Sequence, residues 1–270
     1  MIFKRRRTDL LSYEVYDNHL DSWVVFIHGM GGSTLTWKKQ ISAFSDKYNL
    51  LLIDLPGHGN SQRCELGKRI DCDKLCCDIK EVLDHLRIKT ADFVSLSLGT
   101  LVTAHFAIVF PKYVNSMIFS GAVMKINFFY KCLMTLTNVT KSLIPHRFMF
   151  TSFARMMLPR KNHEKSRKIF IRESLKMKKQ AILAWVDYVS EIAHPQKLLD
   201  SLKKLNVKML FISGDEDVCF VKGTKKVVEF LKKPKLEIIK KCGHVCSIEK
   251  YNEYNEKVLK FLDSVHKKTA

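Results

Sequence analysis

The sequence predicts an α/β fold: a mostly parallel sheet flanked by helices, with one inserted helical segment. Three observations carry this. Six short apolar runs are each bounded by Gly, Pro, Asn or charged residues, the pattern of buried strands. Helix-like stretches separate them, and such alternation is how a parallel sheet is wound. The alternation lapses between residues 122 and 205, where the chain is helix-like and basic.

In chain order, strands are expected at Trp23–Ile27, then at 50–53, 93–96, 116–119, 207–213 and 236–239. Tyr13–Tyr16 and the segment before it add antiparallel edge strands. Helices are expected at 34–44, after a Gly-Gly-Ser start, and at 71–86, which opens on Asp residues suited to a helix N-terminus. Others cover 98–110, ending before Pro111, and 222–231 and 249–265. The expected division is a core of residues 1–121 and 206–270 and a helical insertion of 122–205. Phe128, Phe129, Met134, Phe148, Met149, Phe150, Phe153, Met156, Met157 and Leu158 are the insertion's apolar positions.

A chain of 270 residues with 46% hydrophobic and 27% charged residues can build a sizeable core, which excludes a disordered protein. No apolar run approaches the roughly 18 residues that span a bilayer. The longest candidate, 101–110, is broken by Thr103 and His105. The basic Lys4 to Arg7 patch is not followed by an apolar stretch, so no signal peptide is expected. The expectation is a cytoplasmic protein with its eight cysteines reduced.

The charge is uneven. Lys and Arg total 46 against 27 Asp and Glu, a net +19, and between Lys125 and Asn206 they outnumber the acids 17 to five. An excess of this kind suits an acidic ligand or an anionic membrane surface, or is simply a solvated Lys-rich face. The run Arg160 to Lys168 is read as a solvated face, with peripheral contact to anionic lipid as the second reading. No nucleic-acid partner is expected, because no reading module is visible. Cys72, Cys76 and Cys77, and the alternating Cys242, His244 and Cys246, lack the paired CxxC spacing of structural zinc sites, so no metal is expected.

The chemistry begins at Phe93-Val94-Ser95-Leu96-Ser97-Leu98-Gly99. A strand runs directly into a helix through Ser-x-Ser-x-Gly. A nucleophile on such a strained turn needs small neighbours two positions away. Ser97 is the candidate, because Gly99 follows it while Ser95 still lies in the strand. The second segment is His28-Gly29-Met30-Gly31-Gly32. A Gly-rich loop at a strand end can present a backbone N–H to a developing oxyanion. The candidate donors are the amides of Met30 and Leu98. Neither GxGxxG nor GxxxxGK[ST] fits the loop, which disfavours phosphate binding.

A serine of this kind takes its partners in the order Ser, Asp or Glu, His. Gly214-Asp215-Glu216-Asp217 follows a strand, and only His244 and His266 lie beyond it. His266 ends the last helix beside Lys267 and Lys268 and is expected to be solvated. His244 sits in a loop just past the strand at 236–239, where open α/β sheets place their sites. Trp37 and Trp185 are candidate pocket walls.

The chain resembles the α/β-hydrolase superfamily in its capped branch, over about residues 20–265. The residues that carry the resemblance are His28-Gly29-Met30-Gly31-Gly32, Asp54-Leu55-Pro56-Gly57-His58-Gly59-Asn60-Ser61, Ser95-x-Ser97-x-Gly99, Gly214-x-x-Asp217, and Gly243-His244 followed by Glu249. The resemblance implies that Asp217 rather than Asp215 is the acid, and that the insertion is a cap between the sixth and seventh strands. It implies a serine hydrolase cleaving a carboxylic ester through an acyl-enzyme on Ser97, with His244 as base and no cofactor. The expected partner is a small ester with an acidic or apolar acyl group. Ligand sensing with little turnover, carbon–carbon hydrolysis and cofactor-free peroxidation on the same fold are the other readings. Ser95 replaces the usual first Gly, and Thr100 stands where many relatives have another. No Arg follows the elbow, which speaks against the succinyl-binding activity of the menaquinone-pathway members. Leu96 precedes the nucleophile, where relatives often have His and carbon–carbon hydrolases Asn. The Asp nucleophile of dehalogenases and epoxide hydrolases is absent.

Overall fold

The computed structural model describes residues 2–3, 11–62, 69–125, 145–191, 196–231 and 234–267. Eight strands form one sheet in the order β1-β2-β4-β3-β5-β6-β7-β8. The strands are β1 (Ile2–Phe3), β2 (Tyr13–Tyr16), β3 (Trp23–Ile27), β4 (Asn49–Ile53), β5 (Ala91–Leu96), β6 (Val114–Ser120), β7 (Lys208–Gly214) and β8 (Lys235–Ile239). β1 pairs antiparallel with β2, and β2 with β4; every other pairing is parallel.

Helices cover both faces of the sheet's central strands, so those strands are apolar on both sides and read as unbroken runs. All residues of β4 and β5 are buried, as are four of the five in β3. β2 alternates buried and half-buried positions, with Tyr13 and Val15 turned to the core. β8 closes the far edge and carries Lys235 and Glu237 outward. Charge on an edge strand discourages pairing with another chain.

The helices of the core are α1 (Lys38–Phe44), α2 (Cys72–His85) and α3 (Leu98–Val109). The predicted helix at 34–44 divides in two. Thr34–Trp37 is a tighter 3₁₀ turn capped by the Ser33 side chain, and α1 follows. α2 begins where Asp71 accepts a hydrogen bond from the Lys74 amide at 3.0 Å, the N-cap expected from its sequence.

Between β6 and β7, the described residues form no strand. They form α4 (His146–Met157), a 3₁₀ turn at Lys161–His163, α5 (Glu164–Ser174), α6 (Lys179–Glu191) and α7 (Gln196–Lys204). Phe128, Phe129 and Met134 lie outside the described residues. Phe150, Met157 and Leu158 are buried, whereas Phe148 is largely exposed. The last part of the chain adds α8 (Val221–Phe230), α9 (Cys246–Glu249) and α10 (Tyr251–His266). α10 is the helix expected at 249–265, and the short α9, not foreseen, precedes it across a break at Lys250, which leaves helical geometry. Among the described residues no helix is long and apolar enough to cross a membrane.

His266 is exposed, as expected, yet it has a partner: its Nε2 lies 2.7 Å from Asp92 Oδ2, and that hydrogen bond raises its pKa. Asp92 is the second residue of β5 and is 1% exposed, so its carboxylate needs a partner. Trp37 and Trp185 are fully buried packing residues rather than pocket walls. Trp37 sits 5.0 Å from Phe26, and Trp185 donates to the Pro56 carbonyl at 2.9 Å. In the run from Arg160 to Lys168 the residues Arg160, Lys161, Lys165 and Lys168 are exposed, as expected of a solvated face, while His163 and Ser166 turn inward and are buried.

Candidate active site

The strand order decides where a crevice opens. β3 is followed by β4 on one side, and the chain then returns to place β5 on the other. Loops leaving β3 and β5 therefore diverge, and open α/β sheets bind ligands outside the strand ends at such a point. The loop after β3 is Gly29 to Gly32, and Ser97 follows β5 directly.

Ser97 has φ 51° and ψ −119°. Positive φ in a non-glycine residue costs about 1–3 kcal/mol and persists only where the surroundings hold it. They do so here. The Ser97 amide donates to the Ser120 carbonyl at 2.9 Å, and the Ser97 carbonyl accepts from the Thr100 amide at 2.8 Å and the Thr100 hydroxyl at 2.6 Å. Thr100, which replaces a common glycine, thus ties down the turn. Ser95 is accommodated in the strand, its hydroxyl donating to the Ile118 carbonyl at 3.1 Å. Gly99 permits the geometry: a Cβ there would lie 2.5 Å from the Ile27 carbonyl oxygen and 2.6 Å from that of His28. The start of α3 thereby packs against the end of β3.

Leu98 is the first residue of α3, so its amide has no acceptor within the helix. Met30 and Ser97 line one cavity of about 60 Å³. The loop that carries Met30 is fastened by two histidines to which sequence reasoning assigned no role. His28 donates from Nδ1 to the Gly29 carbonyl at 2.8 Å and accepts the Leu55 amide at Nε2, 3.0 Å. His58 donates from Nδ1 to the Pro56 carbonyl at 3.1 Å and accepts the Gly31 amide at Nε2, 3.0 Å. Each ring bonds through both nitrogens in its neutral form, and burial lowers both pKa values, that of His58 well below the usual range. The signal was present in the sequence as the Asp54 to Ser61 motif, whose Asp54 accepts the Thr34 and Asn60 amides at 2.7 and 2.8 Å.

The end of β7 supplies the acid loop and the end of β8 the histidine loop. His244 Nδ1 lies 2.8 Å from Asp217 Oδ2, with the side chains 2% and 0% exposed. The carboxylate accepts a hydrogen bond from Nδ1–H, which leaves Nε2 with its lone pair. Nε2 is buried and has no hydrogen-bond partner among the described residues. His244 lines the same cavity as Ser97, and the Phe220 ring packs 5.0 Å from the imidazole. Asp215 is turned elsewhere, accepting the Cys242 amide at 3.4 Å and lying 3.8 Å from Lys240 Nζ.

The rest of the cavity is largely apolar. Phe153 and Met157 come from α4, Ile169 and Phe170 from α5, and Val245 and Ile248 from the histidine loop and α9. Glu173 is the acidic residue in its wall. The Lys176 and Arg172 side chains hydrogen-bond that carboxyl and hold its pKa below the usual value, against the opposing effect of burial. Among the described residues no group of His, Cys, Asp and Glu could hold a metal ion.

The sequence profile of the alpha/beta hydrolase fold family matches residues 22–251. The chain belongs to this family. It is 34% identical to 3-oxoadipate enol-lactonase 2 of Acinetobacter baylyi over 116 residues, a match covering 43% of either chain and so less than half of that relative. It is 27% identical to the uncharacterized carboxylesterase nap of Bacillus subtilis, over 89% of this chain and 79% of that one. In structure it resembles a carboxylesterase of the thaumarchaeon Nitrososphaera gargenis, with a TM-score of 0.76, 20% identity and 99% coverage of both chains. This last likeness speaks to the fold alone. For this hydrolase-fold chain the sequence relatives support a hydrolase.

Proposed function

We propose that the chain is a serine hydrolase that cleaves a carboxylic ester with a small apolar acyl group. Ser97 is the nucleophile, His244 the base and Asp217 the residue that orients the base. The observation that carries this reading is the buried, unpartnered Nε2 of His244 in the cavity that Ser97 lines, with its tautomer set by Asp217. A burial without a partner costs free energy, and a substrate-bound serine hydroxyl would supply one.

In the proposed reaction Ser97 Oγ attacks the acyl carbon and its proton passes to His244 Nε2. The carbonyl oxygen becomes an oxyanion, held by the Met30 and Leu98 amides. The tetrahedral intermediate collapses, the C–O bond to the alcohol breaks, and the imidazolium protonates the departing alkoxide. Water, deprotonated by His244, then attacks the acyl-enzyme and regenerates Ser97. Asp217 keeps its hydrogen bond to Nδ1–H and stabilises the imidazolium.

The lining favours an apolar acyl group over an acidic one. A cavity of about 60 Å³ holds a short chain, and its wall is mostly apolar, the Glu173 carboxylate being already paired with Arg172 and Lys176. The neighbouring cleft of about 360 Å³ is polar, with Glu14, Asp54, Asn60 and Lys176 in its walls, and suits an acyl chain poorly.

Labelling with a fluorophosphonate followed by peptide mapping tests the nucleophile. The expected result is a single adduct on Ser97 and loss of p-nitrophenyl acetate turnover in Ser97→Ala. An adduct on another serine, or full turnover in that variant, would overturn the reading.

A further inference from the structure

The turn between α4 and α5 carries a cluster of polar contacts that the proposed reaction does not use. His163 is fully buried, and its Nε2 lies 2.8 Å from Glu216 Oε2 and 3.6 Å from Glu249 Oε2. Its Nδ1 faces the Arg160 amide at 3.4 Å, so the ring proton sits on Nε2 and is donated to Glu216. Glu216 also accepts from Arg160 Nη1 at 2.6 Å and from Asn162 Nδ2 at 2.8 Å. The Asn162, His163 and Arg160 contacts together hold its pKa below the usual value, Asn162 contributing most.

The two glutamates belong to different loops. Glu216 immediately precedes Asp217, and its amide donates to the Cys242 carbonyl at 2.9 Å. Glu249 accepts the Gly243 amide at 2.9 Å and the Val245 amide at 3.2 Å, the two peptide groups that flank His244. The approach is close. A Cβ on Gly243 would lie 3.0 Å from His163 Nε2 and 3.0 Å from Glu249 Oε1. One imidazole from the inserted segment therefore touches the carboxylates that hold the acid loop and the histidine loop. The helices on either side of its turn supply Phe153, Met157, Ile169 and Phe170 to the cavity wall.

We infer that His163 is a positioning residue: it latches the inserted helices to the loops of Asp217 and His244, so that closing the acyl pocket and aligning the proposed base are one event. The inference rests on the proposed roles of Ser97, His244 and Asp217. Its physical basis is that the buried Nε2–H bonds Glu216 at 2.8 Å and packs against Glu249 at 3.6 Å, so withdrawing the ring takes a hydrogen bond from the acid loop and a packing contact from the histidine loop. Catalysis is sensitive to such slack, since displacement of reacting groups by about 1 Å costs on the order of a hundredfold.

The test compares His163→Phe, which keeps a ring and removes the donor, with His163→Gln, which restores an amide donor. For each, kcat and KM on p-nitrophenyl acetate are measured per fluorophosphonate-titrated site. The exchange of the His244 Nδ1 proton with water is followed by proton NMR. The expected result for His163→Phe is a fall in kcat of about tenfold or more at nearly constant KM, with faster exchange of that proton, both largely reversed in His163→Gln. Unchanged kcat per titrated site together with unchanged exchange would overturn the latch, even if the unfolding temperature falls. If His163→Phe does not fold, Glu216→Gln is read against the same two outcomes. A wild-type protein that shows no turnover and no Ser97 adduct would overturn the proposed function, while the exchange measurement would still judge the latch.

Discussion

Asp217 Oδ2 and His244 Nδ1 meet at 2.8 Å although they lie 27 positions apart with α8 and β8 between them, and both side chains are buried. A sealed carboxylate–imidazole bond fixes one tautomer and orients the ring. Replacing the carboxylate by an amide of the same shape would point an N–H donor at the Nδ1–H donor or force the other tautomer. Asp217→Asn is therefore expected to lower kcat by about 10⁴, the size seen when a triad histidine is held in the wrong tautomer. Asp215→Asn should leave kcat within about threefold, because that carboxylate contacts the Cys242 amide and Lys240 instead. Steady-state ester hydrolysis on both variants decides between the two aspartates.

The elbow should be intolerant at Gly99. Any side chain there meets the Ile27 and His28 carbonyl oxygens, which belong to the strand end and cannot move aside cheaply. Gly99→Ala is expected to destabilise the fold by about 2 kcal/mol or more, at the upper end for overpacking. Urea unfolding of the variant against wild type measures this. An equal midpoint would mean that α3 can shift away from β3.

Acid should weaken the fold before ordinary carboxylates titrate. His28 and His58 are held neutral by burial, which pushes their pKa values below the ordinary 6.5 of a histidine. The unfolded chain then binds more protons than the folded one once pH falls below 6.5, so stability present above that point is lost toward the depressed folded values. His266 acts with the opposite sign. Its pKa is raised by Asp92, so its contribution is complete below 6.5 and is lost as pH rises through the folded value. Urea midpoints of wild type should decline from pH 6.5 to pH 5, and the gap between wild type and His266→Gln should narrow from pH 6 to pH 9.

Acyl-chain preference should follow the wall formed by α4 and α5. Phe153 and Met157 both line the cavity, and Met157 is 2% exposed. Met157→Ala is expected to raise the hexanoate-to-acetate ratio of kcat/KM by about tenfold, since each methylene in an apolar pocket is worth roughly 10- to 200-fold in discrimination. A p-nitrophenyl ester series reads the ratio directly. No change would place the acyl chain elsewhere.

Much of this molecule was legible in its residues. The runs that became β3 to β8 are local patterns, each encoded within five to seven positions. The Ser97 turn was legible for the same reason: strain, small neighbours and the following helix all lie within one short segment. Ser97 and Gly99 could be chosen over Ser95 without any distant information.

Tertiary structure decided the rest. Whether Asp215 or Asp217 reaches His244 depends on a turn after β7 that sequence spacing leaves open. The basic run from Arg160 to Lys168 looked like a solvated face, yet His163 is drawn inward to a carboxylate 53 positions away. His266 likewise finds Asp92 across 174 positions. Periodicity reports which face of an element is apolar, because that is a local property. It is silent on which buried polar group will answer another, because that pairing exists only once the sheet has brought distant loops to the same edge.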